Sequence, residues 1–209
     1  MILSSCLGQN LSGTWLMIKD GNTYIEPMFI EFENDQISHF EIMEKTTEGV
    51  LEKKLVLKEK FSETKNKLIN ENRIRLYRMG KTHTATNDTE SKIEDTEFEM
   101  DYERIEPTRT KLTKEQILKL EFEVEWNGEN FSLVFNKTLD SPTIQQINKK
   151  LKKEGRKFVL ESLYGTYFGA IYDDGRRETL IPIREINQNK VILYGFPILP
   201  YEVIGLRKK

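Results

Sequence analysis

The sequence predicts a mostly β protein, an antiparallel meander forming a barrel or sandwich, with one amphipathic helix near residues 142–154. Three observations carry this expectation. Apolar and polar residues alternate along most of the chain. Turn-forming residues recur at short intervals between the alternating runs. Alanine, the best helix former, occurs only at Ala85 and Ala170. With 209 residues the chain can bury a full core, either as one large β domain or as two small ones.

Taken in order, strands are expected at about 13–19, 24–32, 37–43 and 50–58, separated by Asp20-Gly21 and by "ENDQ" at 33–36. Ile74 and Leu76 alternate with Arg73, Arg75 and Tyr77, and Phe98, Met100 and Tyr102 alternate with Glu97, Glu99, Asp101 and Glu103. In "LKLEFEVEW" the residues Leu118, Leu120, Phe122, Val124 and Trp126 face one way. Asn127-Gly128 then turns the chain into a second alternating run, Phe131, Leu133 and Phe135, a hairpin with one buried and one wet face. Further strands are expected at 163–172, 177–183, 190–195 and 201–207. In the helix, Ser141 caps, Pro142 takes the first position, Ile144, Ile147 and Leu151 form a stripe, and Gly155 ends it. Lys149, Lys150, Lys152, Lys153, Arg156 and Lys157 make its end basic. That end is read as a solvated face matching the helix dipole, with contact to anionic lipid or an acidic partner as the alternative.

Charge and motif content narrow the function. Lys plus Arg number 32 against 34 for Asp plus Glu, so no global charge favours nucleic acid. No run approaches the ~18 apolar residues of a membrane helix. HExxH, GxSxG and glycine-rich phosphate loops are absent from the sequence, as is a second cysteine. A non-enzyme without metal or cofactor is therefore expected. His39 and His83 are read as surface residues, and the nine carboxylates from Asp88 to Glu106 as partners of Arg73, Arg75 or Arg78 across the sheet rather than as a calcium site.

Short motifs add two resemblances. Leu3-Ser4-Ser5-Cys6 resembles the lipobox of bacterial lipoproteins, which implies lipidation at Cys6 and an exported, periplasmic or membrane-anchored protein; an ordinary cytoplasmic tail with a free thiol is the alternative. "SGTW" and the later "MDYERI" resemble the lipocalin-like proteins, with Gly13, Trp15, Asp101, Tyr102 and Arg104 at the matching positions. The resemblance covers about residues 11–106 and implies an up-and-down barrel with a ligand cavity, in which an Arg packs across the Trp.

"SLYGTYFGAIYDDG" at 162–175 echoes "NLSGTWLMIKDG" at 10–21. The expected organisation is a tail or export remnant at 1–10, a lipocalin-like module at 11–106, a linker at 107–116 and a second β-rich module with the helix at 117–209. One enlarged barrel is the alternative. A module closing at 106 puts its first strand beside 97–105 and Arg104 over Trp15, whereas a single sheet makes Arg207 the cover. The functional expectation is a non-catalytic, exported, lipocalin-like protein that binds a small apolar ligand or an envelope partner. It sits peripherally on a membrane through lipidated Cys6 or the basic helix end. The competing classes are a carboxylate-using hydrolase and a cytosolic interaction module.

Overall fold

The computed structural model describes residues 11–20, 28–43, 49–85, 91–126, 128–139, 155–173, 175–196 and 199–208, together with Lys149. The protein is mostly β, with antiparallel strand pairs forming one half-barrel and one nearly closed barrel. The expected helix at 142–154 lies outside the described residues except for Lys149, which is helical and exposed. The tail at 1–10, with Cys6, also lies outside them.

The chain divides into two compact units, Met1–Phe40 with Leu55–Arg104, and Glu41–Lys54 with Ile105–Lys209. The first is built on a seven-stranded sheet from β1 (Gly13–Asp20), β2 (Met28–Glu33), β3 (Gln36–Ile42), β4 (Lys53–Lys60), β5 (Asn66–Asn70), β6 (Arg73–Ala85) and β7 (Ser91–Ile105). Their order is β4-β3-β2-β1-β7-β6-β5. Alternation decides which side is buried. Trp15 opposes Ile30 on β1 and β2, and Ile74 opposes Tyr102 on β6 and β7. These residues share one core with Met17, Phe32, Ile37 and Leu76. The two end strands, β4 and β5, are consecutive in the chain and joined through a 3-10 turn at Phe61–Glu63, whose Phe61 packs edge-on against Phe32. The sheet therefore curls, with one chain segment supplying both its ends.

The second unit repeats this device. Its eight strands are β8 (Glu121–Trp126), β9 (Glu129–Val134), β10 (Lys137–Thr138), β11 (Lys157–Leu163), β12 (Thr166–Asp173), β13 (Arg176–Ile186), β14 (Lys190–Phe196) and β15 (Leu199–Arg207), in the order β10-β11-β12-β13-β14-β15-β8-β9. The end strands β9 and β10 are again consecutive. Asn136 between them, at φ +62°, donates its backbone N–H to the Phe158 carbonyl and accepts from Leu160 N–H through its side chain. An Asn tolerates that left-handed conformation better than most residues. Phe135 and Phe158 stack inside this barrel with Leu133, Ile181 and Ile183. At Gly169 the Phe158 ring occupies the space a Cβ would need, so only glycine fits there.

Two expectations on boundaries are corrected. Residues 107–116 are not a linker but part of the second unit. Thr108 donates its N–H to the Gly165 carbonyl and its hydroxyl to the Ile183 carbonyl, and Thr113 and Gln116 form a capping box on a short helix, α1 (Lys114–Ile117). Residues 41–54, expected within the first module, also belong to the second unit. The short β10 covers β11 only at Lys157 and Phe158, which leaves an open edge. Residues 49–51 fill it by a parallel bridge at Val50 and Ser162, with Leu51 N–H donating to Ser162 O and Ser162 N–H to Gly49 O.

The echoed motif has a local meaning. Gly13 (φ +119°), the first residue of β1, and Gly165 (φ +79°), just before β12, each precede a Thr-aromatic pair on a strand that ends at an Asp, Asp20 in β1 and Asp173 in β12. In the second copy Tyr164 and Gly165, both at positive φ, form the two-residue turn between β11 and β12, so Leu163 ends one strand rather than opening the next.

Candidate functional site

The lumen of the seven-stranded half-barrel has two ends of different chemistry. One end is sealed. Trp15 is fully buried, donates its indole N–H to the Leu11 carbonyl at 3.1 Å and meets Phe32 edge-on. The guanidinium of Arg104 lies 4.7 Å from the Trp15 ring centre. The strand carrying Arg104, β7, is the neighbour of β1. Arg207 is elsewhere, donating to the Glu121 carbonyl within the second unit.

Tyr102 shares this lumen, 1% exposed, with its hydroxyl 3.9 Å from Met100 Sδ. Asp101 points the other way. It is fully buried on the opposite face, held by Arg73 at 2.7 Å and by Arg75 at 2.6 Å. Burial pushes its carboxyl up, but the bonds from Arg75 and Arg73 outweigh this and hold it below the usual carboxylate value. Of the motif residues, Trp15, Tyr102 and Arg104 thus gather at the sealed end, Gly13 starts the strand, and Asp101 ties the outer face of β6 to β7.

The other end of the lumen carries a polar cluster. His39 on β3 is not the surface residue its sequence context suggested. It is 3% exposed, in line with Ile37 on the same strand face, and its Nε2 lies 2.8 Å from Glu59 Oε1 on β4. Arg78 on β6 also donates to Glu59, and its Nη2 is 3.0 Å from His39 Nε2. One ring nitrogen cannot both donate and accept. With Nε2–H given to Glu59, the carboxylate takes both donors and the Arg78–His39 approach is a contact. Burial, followed by the charge of Arg78, holds the imidazole pKa down against the opposing pull of Glu59. The cluster joins β6 to β3 and β4, which lie far from it in sheet order, so it ties the curl together.

Beyond this layer the lumen opens. Leu57 and Leu55 alternate with Glu59 along β4, yet are 42% and 46% exposed. Phe98, directly opposite Arg78 on β7, lies over Gly80, where a Cβ would sit 2.6 Å from its ring. Sequence reasoning missed this end. In the sequence Arg78 reads as one of the partners for the acidic strand, and Glu59 is one acid among 34. The available signal was His39 in the apolar register of its strand.

The interior of the second unit is different. A wholly apolar cavity of about 20 Å³ remains between residues such as Val124, Leu133, Phe158, Ile171 and Val203. That is room for about one water, which apolar walls do not hold. On the opposite face of β11 the fully buried Glu161 accepts two bonds from Arg177 at 2.8 Å and one from Tyr172 at 2.7 Å. Burial and this carboxylate push the Tyr172 phenol up to about 12.

Fold and site define a two-unit antiparallel β-barrel protein, one unit with an apolar interior among its described residues and one whose lumen carries a His–Glu–Arg layer. The chain matches no protein-family model, no curated protein and no solved structure.

Proposed function

We propose that the chain is a non-catalytic, lipocalin-like binding protein that takes a small apolar ligand in the open end of its seven-stranded half-barrel. The observation that carries this is the change along one lumen, from fully buried Trp15, Ile30 and Leu76 at one end to half-exposed Leu55 and Leu57 at the other. Apolar side chains presented to solvent inside a curled sheet are a surface for apolar matter. Among the described residues, the core of the second unit is an apolar cluster around Phe135, Phe158 and Leu133, which favours a structural role for that barrel.

A binding rather than a catalytic role is supported by the way conspicuous acids are used. Asp101 is spent on Arg73 and Arg75, Glu161 on Arg177, and Glu59 on Arg78 and His39. Export to the envelope, with attachment through lipidated Cys6 or the basic stretch around Lys149–Lys157 and with an envelope partner, completes the proposal and rests on the sequence alone.

Titration with the neutral dye N-phenyl-1-naphthylamine tests the binding role. Saturable binding with one site per chain, abolished by Leu57→Lys, is expected. Dye uptake that does not saturate, or that ignores this substitution, would remove the half-barrel as the seat.

A further inference from the structure

Independently of the lumen, we infer that β4 is a docking strand, to which a partner protein adds an extended segment of alternating acidic and apolar residues. β4 ends its sheet, so β3 is its one neighbour, and every second backbone N–H and C=O along its other edge meets no strand among the described residues. Its side chains are as open as its edge. Lys54 to Lys58 are all exposed, and the apolar run Leu55, Val56 and Leu57 stands at 46%, 48% and 42%.

The other end strands offer less. β5 has five residues with an Asn at each end, β10 has two with 49–51 filling the edge behind it, and β9 keeps Leu133 buried with Phe131 and Val134 partly covered. The chain thus fills one open edge with 49–51 and, directly afterwards, leaves β4 bare.

Charge selects the partner. Glu59, bonded to His39, fixes the lumen side of β4, so Leu55 and Leu57 share that side and Lys54, Val56 and Lys58 the opposite one. Lys54 and Lys58, on either side of Val56, are unpaired among the described residues. An added strand sets its residues beside those of β4 face for face, so acids belong opposite the two lysines and apolar side chains beside the two leucines. A second copy fits less well. Two β4 strands paired about Val56 set Lys54 of each against Lys58 of the other, and like charges directly opposite are destabilising. Lipid tails fit less well too, because they offer the bare backbone edge no hydrogen-bond partner.

A fluorescein-labelled peptide of alternating Glu and Val, matched to β4 in length, tests this on the full chain by fluorescence anisotropy. Saturable binding should weaken about tenfold in Lys54→Glu with Lys58→Glu, which reverses two cross-strand charge pairs. The double variant should instead take up a Lys-Val peptide that the wild type refuses, a gain that a folding defect does not produce. Backbone N-methylation separates strand addition from loose attraction. In an extended chain the Val amides point to one edge and the Glu amides to the other, so methylating one set should abolish binding and methylating the other should leave it. An equal response to the two methylated peptides, or no exchange of preference in the double variant, overturns the docking strand. Self-association of the free chain that the peptide displaces would name a second copy as the occupant. Binding to phosphatidylglycerol vesicles, lost in the double variant and without any binding of the peptide, would name a lipid surface. Either result overturns the acidic partner.

Discussion

The guanidinium of Arg104 covers Trp15 at 4.7 Å, and Trp15 is fully shielded from solvent. A cation over an indole face is worth about 0.5 to 2 kcal/mol, more as water is excluded. Arg104→Ala should therefore destabilise the protein by about 1 kcal/mol or more. It should also red-shift Trp15 emission, read in a Trp126→Phe background so that a single indole reports. Arg207→Ala should leave that emission where it was. An unshifted spectrum in Arg104→Ala would show that the cover is dispensable.

Acid should loosen the half-barrel through His39. Its pKa is lowered in the folded state, so the unfolded chain binds more protons in the window below the ordinary histidine value of about 6.5. The stability contributed by the neutral imidazole is complete above that value and is lost as pH falls through the lower native one. Urea midpoints measured between pH 7.5 and 5 should decline in the wild type and decline less in His39→Gln. Asp101, whose carboxyl is also held low, loses its contribution only at more acid pH, so the two windows separate.

The ion pair behind β11 should punish half-removal. Arg177 is 5% exposed and Glu161 not at all. Arg177→Met strands a buried carboxylate and should cost about 3 to 5 kcal/mol. Arg177→Met with Glu161→Met should recover most of that loss. Thermal melts of the two variants decide it; equal losses would mean the pair adds stability beyond mutual neutralisation.

Gly169→Ala probes the packed barrel. The new methyl would stand 1.9 Å from the Phe158 ring, which is itself buried. Overpacking of this kind costs about 1 to 3 kcal/mol, and Phe158→Leu in the same chain should return part of it by vacating the space. A Gly169→Ala variant as stable as the wild type would show that the ring moves freely.

Lipidation at Cys6 is tested in cells. The full gene product should carry a palmitate analogue and partition with membranes, and Cys6→Ser should abolish both. A soluble, unlabelled wild type would remove the exported lipoprotein.

The strands were legible because alternation is a direct record of which side is wet. Phe122, Val124 and Leu133 are buried as their register required. Leu118 and Leu120 keep the same rhythm but lie at the C-cap of α1 and just beyond it, because the Thr113–Gln116 capping box starts a helical turn that a period-two pattern does not reveal. The lumen cluster was hidden for another reason. His39, Glu59 and Arg78 come from three strands separated by up to 39 residues, and only the curl of the sheet brings them together. Segment 49–51 was obscured in the same way, since nothing local marks it as the cover for an edge near Ser162.

That cover also constrains the order in which the chain can be completed. Leu51 donates its backbone proton to Ser162, over a hundred residues downstream, while the residues on either side of 41–54 belong to the other unit. A ribosome that has released everything through Arg104 has supplied every strand of the first sheet, but not the edge that residues 49–51 must join. The segment waits for β11, a contact of long sequence separation and hence slow closure. Truncation after Arg104 consequently leaves 49–51 without its native edge, and amide exchange at Leu51 follows the opening of the second unit rather than that of the strands beside it in sequence.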